Sequence, residues 1–232
     1  MSIKETILNI LFPPKCAFCG KIMDTAGGVC EACQKSLPYR PEGKVLQKVG
    51  GFDCAVTFYY DDMVKEGIRA LKFQGKSARA EIFGSYLART AAEYLGGQFD
   101  AVTFVPISPW RNFTRGYDQA QLLAEAAASI WDTKSWKILV KVRNNLPQSS
   151  VKTPAQRRAN VLGAYRVRPD TDVRGKRFLL IDDVCTTGST MAECAQVLIE
   201  AGAASVVCAA LAGGHRERGG APPPSGSGNQ VG

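Results

Sequence analysis

The sequence predicts an α/β fold, a parallel sheet with helices on both faces, preceded by a small four-cysteine module. Three observations predict it. From residue 52 onward, β-rich apolar runs alternate with segments of helical periodicity. Those runs are apolar throughout, rather than at every second residue, which is the pattern of strands buried on both faces. Four cysteines near the N-terminus stand in close pairs ahead of the alternating region. A chain of 232 residues accommodates one domain and an appendage. Its 45% hydrophobic and 22% charged residues are those of a folded globule.

The elements follow in order. Residues 1–12 read as a short amphipathic helix leading into the cysteine module, so that residues 1–40 form one unit. Pro38, Pro41, Gly43 and Gly50 mark a linker over 41–51. Residues 52–213 form the main domain. Val56 to Tyr60 is a β-rich run, and Met63 to Lys72 is helical. Ile82 to Leu95 places Phe83, Leu87, Ala91 and Tyr94 at helical spacing. Ala101 to Val105 is a buried strand stopped by Pro106, and Gln119 to Trp131 a helix with Leu122, Leu123, Ala126, Ala127 and Ile130 on its apolar side. Ile138 to Val142 is a strand. Phe178 to Ile181 is a strand followed by a tight loop, the helix Met191 to Ala201 and the strand Ser205 to Leu211. Residues 214–232, rich in Gly, Pro and Ser, are expected to be disordered.

Cys16, Cys19, Cys30 and Cys33 form Cys-x2-Cys-x10-Cys-x2-Cys. Each close pair can clamp one side of a tetrahedral ion, and the ten residues between them allow the return turn. The spacing predicts a structural zinc site, since four thiolates leave no coordination position open for a substrate. Two disulfides would need an oxidising compartment, and residues 1–12 do not read as a secretory signal. Cys54, Cys194 and Cys208 sit among apolar neighbours and are expected as buried small hydrophobes. Cys185 has no histidine to activate it, because the one histidine, His215, lies in the tail. The same count excludes Ser-His-Asp chemistry and multi-histidine metal sites. No Gly-x-x-x-x-Gly-Lys occurs, which excludes a P-loop nucleotidase.

The richest stretch runs from Phe178 to Thr190. An apolar strand delivers adjacent carboxylates, Asp182 and Asp183, and then Thr186, Thr187, Gly188, Ser189 and Thr190 lead into a helix. Small hydroxyl residues and free helix-start N–H groups make a nest for a dianionic phosphate. The carboxylates upstream can accept hydrogen bonds from two sugar hydroxyls. Together they describe a ribose-5-phosphate site, against the plainer reading of a capped helix after a strand.

An apolar strand followed by Asp-Asp-x-x-Thr-Thr-Gly-x-Thr resembles the phosphoribosyl-pyrophosphate (PRPP) motif of type I phosphoribosyltransferases. More narrowly, residues 7–212 resemble the ComF family, associated with bacterial competence and DNA uptake. The resemblance includes Pro13-Pro14 before the first cysteine pair, Leu71 to Lys76, Val105-Pro106-Ile107-Ser108, Arg115-Gly116-Tyr117-Asp118-Gln119-Ala120, and Pro147-Gln148 with Arg157, Asn160, Val161, Gly163, Ala164 and Tyr165. The family usually carries Asn where this chain has Asp118. The resemblance implies a type I phosphoribosyltransferase-like parallel sheet plus an N-terminal zinc ribbon. It implies that Asp182 and Asp183 hold the ribose, that Thr186 to Thr190 wrap the 5-phosphate, and that Ser108, Arg111 and Arg115 face the pyrophosphate. Arginines four apart in a Pro/Gly-bounded loop can meet a polyanion bidentately, or can simply be solvated. Mg2+ would bind mainly through PRPP oxygens. Gln148, Arg157 and Arg158 are lid candidates in a long basic segment that could equally be a surface loop.

Lys and Arg number 29 against 21 Asp and Glu, a formal charge of +8, which points to anionic partners. Three functions stay open on the sequence. One is a PRPP-binding protein of DNA uptake, contacting single-stranded DNA or competence-machinery proteins. Another is an active phosphoribosyltransferase on a nucleobase or amine. The third is a PRPP-responsive regulator or adaptor. No apolar run is long enough to span a membrane, the thiols suit the cytoplasm, and the fold is one that often forms homodimers.

Overall fold

The structure, a computed structural model, describes residues 13–23, 28–71, 76–97, 99–108, 117–143 and 153–215. The expected N-terminal helix, Arg111, Arg115, Gln148 and the tail beyond His215 lie outside these residues.

A five-stranded sheet organises the molecule, in the order β1 (Leu46–Val49), β2 (Phe52–Phe58), β7 (Ser205–Gly213), β6 (Arg177–Cys185), β3 (Ala101–Phe104). β2, β7, β6 and β3 are parallel, as expected from their continuous apolar runs. β1 is antiparallel to β2, so the sheet is mixed. This corrects the expectation of irregular chain over 41–51. Residues 42–45 form a helical turn, α2 (Glu42–Val45), and Gly50 and Gly51, both at positive φ, turn β1 into β2 as a hairpin. A second, two-stranded antiparallel sheet pairs β4 (Leu139–Lys141) with β5 (Tyr165–Val167). The strand expected at 138–142 therefore belongs to this small sheet rather than to the main one.

Alternate residues of the central strands point to opposite faces and build two cores. Leu179 and Ile181 of β6 join Ala209 and Leu211 of β7 on one face. There they meet Val64 and Ile68 of α3 (Asp62–Ala70), Phe83 and Leu87 of α4 (Lys76–Leu95), and Leu123 and Ala127 of α5 (Gln119–Ile130). Phe178 and Leu180 face the other way, with Cys208 and Ala210. They are covered by Met191, Cys194 and Leu198 of α7 (Ser189–Glu200), and by Ile138 and Tyr165 of the small sheet. Cys54, Cys194 and Cys208 are fully buried there, as their apolar neighbours predict.

Caps set the helix starts. Asp61 accepts from Val64 N at 3.0 Å and begins α3. Asp118 accepts from Ala120 N and Gln121 N and begins α5. Past the last strand, Gly214 O still accepts from Tyr60 N at 2.9 Å, so the ordered chain continues into the segment expected to be disordered. Among the described residues no helix is long and apolar enough to cross a membrane.

Candidate ligand site and metal centre

The carboxyl ends of parallel strands are where α/β sheets bind ligands. Here a cavity of about 250 Å3 opens at the ends of β3 and β6. β6 delivers its acidic pair from within the strand. It runs to Cys185, not to Ile181 as expected, because β7 continues alongside it: Asp182 pairs with Ala210 and Cys185 with Gly213. The two carboxylates thus stand on regular backbone. Asp182 Oδ1 accepts from Asp183 N at 2.9 Å, and Asp183 Oδ1 from Val184 N at 2.8 Å. Burial, and then the neighbouring Asp183 carboxylate, push the Asp182 carboxyl well above the usual carboxylate range. The cavity therefore holds a carboxylate whose charge is disfavoured, and hydrogen bonds from sugar hydroxyls or a hydrated cation would stabilise it.

The loop beyond β6 closes the other end. Thr186, Gly188, Ser189 and Thr190 line the cavity. Thr187 does not; it is exposed, and its hydroxyl lies 3.0 Å from Ser189 Oγ. Gly188 caps α7 in the left-handed region, at φ +71°. A Cβ at this position would collide with Val49 of β1, so glycine is required both by conformation and by the packing of the edge strand. The first N–H groups of α7 consequently open toward the cavity with no side-chain cap from Gly188.

The third wall is the loop after β3. Ser108 is buried and lines the cavity with Val105, Pro106 and Ile107. Asp118 fixes this loop. One carboxylate oxygen caps α5, and the other accepts from Ile107 N at 2.9 Å. An asparagine has one acceptor oxygen and could not serve both sites, so the aspartate has a structural use of its own. Burial raises its carboxyl above the usual range, although the backbone N–H groups of Ile107, Gln121 and Ala120 oppose that rise. Sequence reasoning missed Asp118 as a wall of the site, although a lone acidic residue before an apolar helical run is a legible capping signal.

Also missed were Lys141 and Tyr165, which line the cavity from the small sheet. They are paired across β4 and β5, and the Lys141 ammonium lies 5.4 Å from the Tyr165 ring centroid. Of the lid candidates, Arg157 and Arg158 fall in a helix, α6 (Pro154–Val161), rather than in an irregular loop. Cys185 lines the floor; it is buried, and the Gln47 amide donates to its sulfur at 3.3 Å. The Cys54 thiol hydrogen bond, with help from Gln47 and the Arg40 charge, holds the Cys185 pKa below the usual thiol value against the effect of burial.

The four N-terminal cysteines converge as expected. Their sulfurs all lie within 4.8 Å of one another, and Cys19 Sγ and Cys30 Sγ are 3.7 Å apart. A tetrahedral ion bound at about 2.3 Å sets its sulfurs about 3.8 Å apart, so the donor set fits Zn2+. Cys16 and Cys19 flank a turn stapled by a bridge between Lys15 and Ile22. Cys30 and Cys33 begin and occupy α1 (Glu31–Lys35). Burial opposes ionisation of Cys16, but hydrogen bonds from the backbone of Cys30, Cys19 and Phe18 outweigh it and hold the thiol at about 6. The centre is not a detached appendage. Phe18, between the first two ligands, packs edge-on against Phe83 at 5.1 Å and Phe58 at 5.8 Å. Gly67 lets α3 approach the knuckle: a Cβ there would stand 3.3 Å from Ala17 O and 2.8 Å from the Phe83 ring.

Comparison with known proteins agrees with both centres. Residues 118–224 match the phosphoribosyl transferase domain family, and residues 7–50 the double zinc ribbon domain family. The latter segment contains four cysteines and no histidine, enough thiolate for one zinc ion. The DNA utilization protein YhgH of Escherichia coli K12 is 31% identical over 202 residues, 82% of this chain and 86% of that protein. Competence protein ComFC of Bacillus subtilis is 27% identical over 192 residues, 83% of this chain and 74% of that one. Among solved structures, a glutamine PRPP amidotransferase from B. subtilis complexed with ADP and GMP aligns at 26% identity and a TM-score of 0.40, over 58% of this chain and 26% of that one. Similarity that runs through both the zinc module and the phosphoribosyl transferase domain, over most of each relative's length, makes this chain a member of the ComF family.

Proposed function

We propose that this chain binds a 5-phosphoribosyl compound, PRPP with Mg2+, and serves in the utilisation or uptake of DNA while contacting single-stranded DNA. The observation that carries the ligand is one cavity with two kinds of end. Adjacent carboxylates, Asp182 and Asp183, stand at one side, and an uncapped helix start ringed by Thr186, Ser189 and Thr190 at the other. Carboxylates accept from vicinal hydroxyls, helix N–H groups take phosphate, and a phosphoribosyl group presents both on one skeleton. Mg2+ would be held mainly by ligand oxygens, which lets it neutralise pyrophosphate beside Asp182. The DNA part of the reading rests on the names of the relatives YhgH and ComFC.

Titration calorimetry of the zinc-loaded chain with PRPP tests the ligand. Binding is expected to require Mg2+. A hydrogen bond to a charged group contributes about 1.5–3 kcal/mol, so the pair Asp182→Asn and Asp183→Asn should weaken binding at least about tenfold. Unchanged affinity in that variant would remove the ribose assignment. A second reading, a working phosphoribosyltransferase, has one observation in its favour. The cavity continues to Lys141 and Tyr165, a cation and a ring able to face a flat acceptor. Release of pyrophosphate from PRPP with one member of a nucleobase panel would establish it.

A further inference from the structure

The positive charge of this chain is not spread over it. Residues 133–168 carry nine Lys and Arg and no Asp or Glu. The rest of the chain holds the remaining 20 basic residues against all 21 acidic ones, so it is nearly neutral. The described residues of this segment form the small sheet and α6, and one side of them forms a wall of the cavity through Lys141 and Tyr165.

Its other side faces solvent. Lys134, Lys137, Arg143, Arg166 and Arg168 are exposed. The ion pairs of Lys35, Lys48, Lys65, Arg69, Arg174 and Arg177 with acidic partners lie elsewhere. Glu193 and Glu200 of α7 lie across a groove that Arg166 also lines, and Asp170 and Asp172 follow Arg168 in the chain. Glu193 is turned to Gly163 N at 2.6 Å, and neither glutamate reaches Arg166 as an ion pair among the described residues. Arg168 N donates to Ile138 O, which continues the strand pairing past Val167. Arg166 and Arg168 are thus successive outward residues, about 6.7 Å apart along the strand. That is roughly twice the 3.4 Å step of a stacked helix, a spacing that suits the phosphates of an extended strand. Apolar surface is interleaved: Val142 is 49% exposed, Leu162 is 68% exposed, and Trp136 is half-buried. Cations spaced along a ridge with apolar surface between them are what a flexible polyanion with flat bases requires.

We propose that the outer face of the small sheet, centred on Arg166 and Arg168 with the exposed Lys137 just ahead of β4, is the surface that holds single-stranded DNA. This inference rests on the DNA contact proposed above and assigns it a place: the small sheet beside the cavity, not the zinc module. The strand would then run past the wall that carries Lys141 and Tyr165, next to the phosphoribosyl ligand.

The test uses the full zinc-loaded chain and a fluorescein-labelled oligothymidylate, read by anisotropy across a salt series. One variant carries Lys137→Gln, Arg166→Gln and Arg168→Gln. A second, of equal net charge, carries Lys48→Gln, Lys65→Gln and Arg69→Gln, and circular dichroism verifies that both are folded. Each phosphate contact contributes about 0.7 to the slope of log affinity against log salt. The first variant should lose about 2 from that slope and bind about ten- to a hundredfold more weakly in 0.1 M salt. The second should stay close to wild type. Equal losses in both would mean that net charge alone attracts DNA and would overturn the assignment. Competition by polyglutamate as effective as by unlabelled oligonucleotide would also overturn it, in favour of an acidic polypeptide. If the first variant binds like wild type, the placement fails while the DNA reading stands. If wild type binds no oligonucleotide, the DNA reading itself fails and takes the placement with it.

Discussion

Asp182 carries an electrostatic cost that its place in the strand imposes. Its carboxyl is pushed up by burial and by Asp183, so the ionised form is less favourable in the folded chain than in the unfolded one. A raised carboxyl costs stability in full at pH above its folded value and none below the ordinary carboxylate range. Asp182→Asn keeps an oxygen for Asp183 N and removes the charge. It is therefore expected to raise the melting temperature at neutral pH by about 2–4 °C, equivalent to about 1 kcal/mol in a chain of this size. The gain should shrink as pH falls through the folded value and vanish in acid, where the wild-type carboxyl is neutral too. Melting curves over a pH series would check this; an asparagine variant that melts lower than wild type at neutral pH would contradict it. The same substitution weakens the proposed ligand, so stability and binding should move in opposite directions. Much of this site was legible from residue types alone. Asp182, Asp183, Gly188, Ser189 and Thr190 sit around one cavity, while Thr187 turns away to meet Ser189. Lys141 and Tyr165 were not legible, because pairing across a small antiparallel sheet joins residues 24 apart in the chain and leaves no mark at either position.

Elements were read most accurately where one physical cause dominates. β7, α5 and α7 follow their apolar pattern to within a few residues. β6 was read too short because Asp182 and Asp183 end its apolar run, yet backbone pairing with β7 does not depend on side-chain polarity. β1 was read as a linker because Pro38, Pro41, Gly43 and Gly50 punctuate the stretch around it; its strand character comes from pairing with β2 and its position from Val49 against Gly188. α3 offers a test of how closely an element is fitted. Glycine inside a helix ordinarily costs about 1 kcal/mol relative to alanine. At Gly67 that gain is expected to reverse, because an added Cβ meets the Phe83 ring and the Ala17 carbonyl. Gly67→Ala should lower the melting temperature and speed zinc loss to a chromogenic chelator, since it pushes α3 off the turn that bears Cys16 and Cys19. A variant that is more stable than wild type, with unchanged zinc release, would show that the knuckle yields without strain.

At the scale of the whole molecule, the question is whether the zinc module and the sheet fold as one body. A module with its own core can melt separately, but the described residues of this one bury their side chains in the core of the sheet. Cys16, Ala17, Phe18, Cys33 and Leu37 belong to the same buried cluster as Phe58, Phe83, Leu179, Ile181 and Leu211. Past the last zinc ligand, the chain passes directly into that structure: Tyr39 bridges Phe58, Arg40 N donates to Thr57 O, and Arg40 Nη1 reaches Gln47, whose amide meets Cys185 in the cavity floor. Zinc binding free energy is therefore coupled to the folding of the sheet, not only of the knuckle. Calorimetry of the zinc-loaded chain is expected to give one transition, and chelation should lower it. Chelation should also shift amide resonances well beyond residues 14–36, including Phe58, Phe83 and α3. Two separate transitions, or changes confined to 14–36, would mean that the aromatic contacts around Phe18 are too weak to join the parts. In the coupled case, metal loss in the cell would cost the chain its ligand cavity as well as its ribbon, because Val49 and Gln47 brace the loop that forms one end of that cavity.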